Sequence, residues 1–239
     1  VLYRGFVDSL GNVNLHAAPQ LWQTTLPSGL PPRALVGRQG IFTRDGDPRG
    51  HELLYRAEHP APTSVDRWSA EDQDRATEHV IAATFFRHPD ITAPLPAFVN
   101  FTGTYLLSRA VERECDPGRV VIEIVESVEV DAALLERIAS LKAQGFAIAI
   151  DDFVGSSCQM RLLPLADYVK IDWRDLLRVG AGLVDAARAY GALLVAERVE
   201  DDAILAECIR LGFDLYQGWH FERAVTFDRG DRDLAPALV

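Results

Sequence analysis

From Ala34 onward, short apolar runs alternate with longer stretches whose apolar residues recur every three or four positions. The runs are "LVGRQGIF", "ELLYRA", "AFVNF", "VVIEIVE", "FAIAID", "DYVKID", "LLVAERV" and "DLYQGWHF", rich in the β-branched and aromatic residues that suit strands. Between several of them lie "SAEDQDRATEHVIAATFFR", "DAALLERIASLKAQG" and "EDDAILAECIRLG", with acidic residues near their starts and Gly ending the last two. Those are helix start and stop signals. Strands separated by helices predict a parallel sheet, and eight of them without a switch point close into a (β/α)8 barrel. One link departs from the pattern. "TRDGDPRG" is too short for the crossover of about a dozen residues that parallel strands need. The expected fold is therefore a modified TIM (β/α)8 barrel with the first strand antiparallel, over residues 34–224. Pro and Gly interrupt any period in residues 1–33, which read as an N-terminal extension, and residues 225–239 read as a C-terminal tail.

Composition narrows the chemistry. A chain of 239 residues, 48% hydrophobic, can bury a large core. Its formal net charge of −11, with the Lys and Arg residues scattered, argues against nucleic acid held by its phosphates. Cys115, Cys158 and Cys208 are widely spaced with no CxxC, so no disulfide framework or zinc knuckle is indicated and a reducing cytoplasm is the expected setting. No apolar run reaches the roughly 18 residues of a membrane span. None of the six His residues has metal-ligand spacing.

The polar residues inside the strands carry the chemistry. Side chains alternate along a strand, so Glu52 shares a face with Leu54 and Arg56, and Glu123 shares one with Val121 and Val125. Asn100, in "FVNF", is a residue type that strands disfavour. "AIAIDDF" ends an apolar alternation on two adjacent carboxylates, Asp151 and Asp152, which repel unless a cation or a proton lies between them. Acids converging from separate strands imply a cation or a hydrogen-bond network. Hard oxygen donors suit Mg²⁺ or Mn²⁺. Taken singly, each has a plainer reading: an Asp can cap a helix, Lys170 can be an ion-paired lysine, and Arg56 can neutralise Glu58.

Together, "ELLYR", "VNF", "IEIVES", "IDDF", "DYVKID", "AERVE" and "YQGWHF" resemble, in order and rough spacing, the EAL domain family of bacterial cyclic di-GMP phosphodiesterases. The wording "ELLYR" with "DDFVGS" is most similar to the branch often found with HDOD domains. The resemblance implies a two-metal site for Mg²⁺ or Mn²⁺, with Glu52, Asn100, Glu123 and Asp151 at the first ion and Asp151 and Asp152 at the second. It implies that Arg56 grips a substrate phosphate and that Lys170 orients or deprotonates the attacking water. Glu197 and Gln217 would support the site, Glu126 would steady the loop after the Asp pair, and Gln39 would match a substrate-binding glutamine of the opening strand. The implied reaction opens cyclic di-GMP to linear pGpG. The alternative is a weak or inactive EAL module acting as a cyclic di-GMP receptor or protein scaffold. A homodimer or a fused regulatory domain is compatible with the resemblance. Three departures stand out. The Gly-Thr-Gly element after the Asp pair is replaced by Val154-Gly155-Ser156, the segment between "KID" and "AERVE" is short, and Gly40 stands where the family usually has proline.

Overall fold

The computed structural model describes residues 33–56, 65, 68–87, 89–109 and 111–230. The segment 1–32 and the end of the tail, 231–239, lie outside them.

The strands are β1 (Arg33–Phe42), β2 (Pro48–Tyr55), β3 (Ala97–Phe101), β4 (Val120–Ile124), β5 (Ala147–Ile150), β6 (Tyr168–Asp172), β7 (Leu193–Glu197), β8 (Leu215–Tyr216) and β9 (Val225–Gly230). From β2 to β8 each strand runs parallel to the next. β1 lies between β2 and β8, antiparallel to both, and closes the barrel. The β1–β2 link is the short one singled out above. Residues 43–47 form a tight turn in which Thr43 N–H donates to the Asp47 carbonyl, and Gly46 adopts φ +86° with open space where a side chain would be.

β9, which the sequence pattern leaves in the tail, pairs antiparallel with β1 from Arg33–Gly230 to Arg38–Val225. The helix expected after β2 is α1 (Ala70–Ile81), capped by Ser69, and it widens into a π turn over Ala82–Arg87. Two short helices, α2 (Gly103–Ser108) and α3 (Val111–Glu114), fill the β3–β4 link. α4 (Ala132–Ala143) and α8 (Asp202–Leu211) start on the caps Asp131 and Asp201, and α8 ends on Gly212 in the left-handed region. α5 (Ser157–Leu162) follows β5, and α6 (Trp173–Val179) and α7 (Gly182–Arg188) follow β6.

Strand periodicity builds the interior in two layers. Ile41, Phe98, Val121, Ala149, Val195 and Leu215 pack into one buried apolar plug. Two residues further along each parallel strand stand Asn100, Glu123, Asp151, Glu197 and Gln217. On antiparallel β1 the step runs backwards, from Ile41 to Gln39, which lies opposite Glu52. The alternate residues, among them Leu53, Val99, Ile122, Ile148, Val169 and Leu194, face outward into the larger core beneath the helices.

Above this polar layer two loops meet. Val199 N–H donates to the Gln217 carbonyl at 3.0 Å, and His220 N–H donates to the Val199 carbonyl at 3.0 Å. Gly218 sits between them, and a Cβ there would lie 2.2 Å from the Val199 oxygen and 2.4 Å from its nitrogen. Backbone on both sides cannot yield easily. Gly218→Ala is therefore expected to destabilise the protein by about 3 kcal/mol, lowering the thermal midpoint by on the order of 10 °C. A calorimetric scan matching the parent would show that the two loops separate freely.

Candidate active site at the barrel mouth

Lys170 stands at the centre of the polar layer, fully buried. Its Nζ lies 2.6 Å from Glu123 Oε1, 2.9 Å from Glu197 Oε1, 3.0 Å from Asp151 Oδ1 and 3.5 Å from Glu52 Oε1. One ammonium thus faces four carboxylates, and Asp152 adds a fifth beside Asp151. Fully ionised, the group would carry four uncompensated negative charges, a state a low-dielectric interior does not hold.

The ionisation equilibria reflect that excess. Burial, reinforced by the neighbouring acids, raises the carboxyls of Glu123 and Glu197 well above their ordinary range even though Lys170 pulls them down. Burial and Asp151 push Asp152 up to about 7. Burial disfavours the charged form of Lys170, but Asp151, Glu123, Glu197 and Glu52 overcome it and hold the ammonium protonated well above its usual pKa.

Protons are one remedy for the excess and divalent cations are the other. Asn100 Oδ1, Glu123 Oε2, Glu197 Oε2 and Gln217 Oε1 are buried without a hydrogen-bond partner, and such orphaned oxygens are costly unless something binds them. Asp151, Asp152 and Glu197 bring one carboxylate oxygen each within 4.8 Å of one another. Oxygen-only donors around an anionic excess fit hard divalent ions.

Gln217 and Gln39 belong to the same layer. Gln217 Nε2 donates to Glu52 Oε2 at 2.5 Å and to Gln39 Oε1 at 3.3 Å, and Gln39 Nε2 reaches the Glu222 carbonyl at 3.4 Å. Gly40, in the place of the family's proline, donates its N–H to Glu222 Oε2 at 2.8 Å. A proline there would remove that donor.

Two connected clefts open above. The larger, about 480 Å³, is lined by Arg56, Asn100, Glu126, Asp151 and Asp152 among others. The smaller, about 260 Å³, is lined by Gln39, Glu52, Glu197, Gln217 and Trp219 and shares Asn100, Asp151 and Asp152 with the first. Arg56 donates from Nη1 to the Tyr55 carbonyl at 3.2 Å, and no carboxylate pairs with it among the described residues. Its proposed alternative partner, Glu58, lies outside them.

Glu126 stands exposed on the cleft rim without a hydrogen bond among the described residues. Within the described residues, the side chain that ties the loop after the Asp pair is Gln159 of α5, a buried residue that the sequence pattern did not single out. Gln159 Oε1 accepts from Val154 N–H at 2.9 Å and Ser156 N–H at 3.3 Å. Its Nε2 donates to the Asp152 carbonyl at 2.9 Å and the Asp151 carbonyl at 3.3 Å. One amide therefore ties both ends of the loop and holds Asp152 at φ +42°, a left-handed conformation that non-glycine residues seldom adopt. The spacing Ser156-x-x-Gln159 is a capping box, and that signal was present in the sequence. Gln159→Leu is expected to weaken Mn²⁺ binding about 10-fold or more, the usual scale for losing a residue that orients a ligand. Titration calorimetry with an affinity equal to the parent's would show that the loop holds itself.

The EAL domain model matches residues 39–224. The chain belongs to the EAL domain family. Among relatives, the Bacillus subtilis protein YuxH is 30% identical over 197 residues, 79% of this chain and 47% of that protein. The cyclic di-GMP phosphodiesterase CdgJ of Vibrio cholerae is 31% identical over 199 residues, 79% of this chain and 44% of that protein. The chain thus spans about half the length of these curated relatives. The crystal structure of the Bacillus subtilis YkuI protein, with an EAL domain, in complex with cyclic di-GMP and calcium superposes with a TM-score of 0.66 at 23% identity. That match covers 83% of this chain and 57% of the other. The barrel with its reversed first strand is accordingly the fold of an EAL domain.

Proposed function

We propose that this EAL domain is a metal-dependent phosphodiesterase that opens cyclic di-GMP to linear pGpG. The observation that carries the reading is the buried excess of carboxylate charge around Lys170 at the floor of two clefts. The relative named a cyclic di-GMP phosphodiesterase and the EAL neighbour bound to cyclic di-GMP and calcium support the substrate.

Glu52, Asn100, Glu123 and Asp151 would hold one Mg²⁺ or Mn²⁺ ion, and Asp151 and Asp152 a second. Such ions would stabilise charge on the phosphodiester and on its departing oxygen. In the overall change water adds to phosphorus, one ester P–O bond breaks, and the water's proton passes to the sugar oxygen.

The chain's own residues position the reactants. Arg56 brings a guanidinium to the larger cleft, a fork suited to phosphate oxygens. Lys170 stays charged among its carboxylates, which disfavours its taking a proton from water. Because its N–H groups meet Glu123, Glu197 and Asp151, it would orient a water by donation once bound metal ions draw those carboxylates away. Gln217 holds Glu52, and Glu197 holds Lys170.

No helix among the described residues is long and apolar enough to cross a membrane. The three cysteines are unpaired, and we place the domain in the cytoplasm, where a nucleotide messenger is met. Incubating the purified chain with cyclic di-GMP and Mg²⁺ or Mn²⁺ is expected to yield pGpG on chromatography, and chelation is expected to stop it. Binding of the nucleotide without product in either metal would make the domain a receptor.

A further inference from the structure

We propose that Arg198, the residue after Glu197 in "AERVE", grips the substrate phosphodiester that is not cleaved, so that Arg56 and Arg198 take one phosphate each. This rests on the cyclic di-GMP reading above.

The first observation is conformational. Arg198 has φ +55°, in the left-handed region, and shares this among the described non-glycine residues only with Asp152. A glycine would take that conformation without strain. Side chains kept at such positions mark sites where the group itself is needed.

The second is the state of the guanidinium. Arg198 Nε donates to Asp172 Oδ2 at 2.6 Å, and Asp172, which caps α6, also accepts from the Arg174 backbone at 2.8 Å. That single bond anchors the side chain, which stays 52% exposed as a whole. Both Nη groups are without a hydrogen-bond partner among the described residues. An arginine held by Nε with its terminal fork open is prearranged for the paired oxygens of a phosphate.

The third is placement. Among the described lining residues, the larger cleft has two cations, Arg56 and Arg198, and the smaller has one, Arg198. Arg198 therefore stands where the clefts join, beside Asp151 and Asp152. A cyclic dinucleotide carries two phosphodiesters across one ring. With one at the metal-binding oxygens, the other meets a mouth walled by carboxylates and requires a cation of its own. Arg198 is positioned to be that cation, and it would distinguish a cyclic dinucleotide from a substrate with a single phosphodiester.

The test compares the parent with Arg198→Gly and Arg198→Lys. Calorimetry with cyclic di-GMP in Ca²⁺ measures binding, and Mn²⁺-supported hydrolysis of cyclic di-GMP is set against that of bis(4-nitrophenyl) phosphate. Arg198→Gly is expected to weaken cyclic di-GMP binding about 10-fold or more, as loss of a charged hydrogen-bonding partner does. Its KM is expected to rise more than its kcat falls, and its preference for the dinucleotide over the single diester to drop about 10-fold. Arg198→Lys, which keeps the charge and loses the fork, is expected to fall between. Affinity equal to the parent's overturns the inference while leaving the phosphodiesterase reading intact. A loss that strikes both substrates equally and lowers the thermal midpoint also overturns it, because Arg198 would then act only by propping Asp172. A parent that fails to bind cyclic di-GMP overturns both readings.

Discussion

Lys170→Ala is expected to leave cyclic di-GMP bound in Ca²⁺ and to lower its hydrolysis in Mn²⁺ by about 10²- to 10⁴-fold, the range typical of a positioned proton-handling group. Nζ lies within 3.0 Å of Glu123, Glu197 and Asp151, and the side chain is not among the described residues lining either cleft. Its removal therefore takes nothing from the walls that hold the nucleotide. The same change leaves buried Glu52 and Glu123 and partly buried Asp151 and Glu197 without their ammonium, and breaking a buried pair typically costs about 3–5 kcal/mol. The variant should accordingly need metal to fold well, and Lys170→Met, which fills the volume without the charge, serves as the second test. A Lys170→Met protein that folds with Mn²⁺ and turns over near the parental rate would remove Lys170 from the chemistry.

Asp151→Asn is expected to have opposite effects on the metal-free and metal-loaded protein. Asp151 raises the carboxyls of Glu123, Asp152 and Glu197, so neutralising it relieves repulsion when metal is absent. With metal present it removes the ligand proposed to join both ions, and Mn²⁺ affinity should fall about 100-fold. At 100 times its Kd a bound ion stabilises the fold by about 2.7 kcal/mol, or about 5–10 °C for a domain of this size. The parent should gain that increment on adding Mn²⁺, whereas Asp151→Asn should start higher in chelator and gain little.

The pH dependence has a definite sign. Glu123, Glu197 and Asp152 are raised in the folded state, so the stability they contribute is complete below about pH 4, the ordinary carboxylate pKa. It is lost as pH rises, for Asp152 through about 7. Chelated protein should therefore melt at lower temperature at pH 8 than at pH 5, and Mn²⁺ should flatten the difference. Equal midpoints for chelated parent and variant across that range would mean that the carboxylates do not strain the fold.

Much of the fold was legible because strands bury one face at a period of two. Phe98 then Asn100, Val121 then Glu123, and Val195 then Glu197 write the plug and the polar layer directly into the chain, and "TRDGDPRG" is too short to allow anything but a reversed first strand. What was illegible depends on local geometry and distant partners. "VTFDRG" carries too many polar residues to announce a strand, and it becomes one because β1 offers it an edge. α2 and α3 have six and four residues, too few for a helical period to show. The Ser156-x-x-Gln159 spacing announces a helix start, but only the folded loop shows that the same amide also ties Val154 and the Asp151 and Asp152 carbonyls. Arg198 gives no sequence sign of its left-handed backbone. Lys170 stood out in the sequence as a lysine within a strand, but not as a side chain enclosed by acids, since enclosure follows from five strands converging.

The pairing of β9 with β1 also gives the domain a mechanical character. Arg33 lies opposite Gly230, so the polypeptide enters and leaves the described barrel at adjacent points. A pull separating those two points would load the β1–β9 ladder from its end and peel it one pair at a time. The strand under tension is the one that carries Gln39, whose amide meets Gln217 and, through it, Glu52. A tug or twist delivered there would reach Glu52, the carboxylate proposed to bind metal, along a single strand and without crossing the remainder of the barrel.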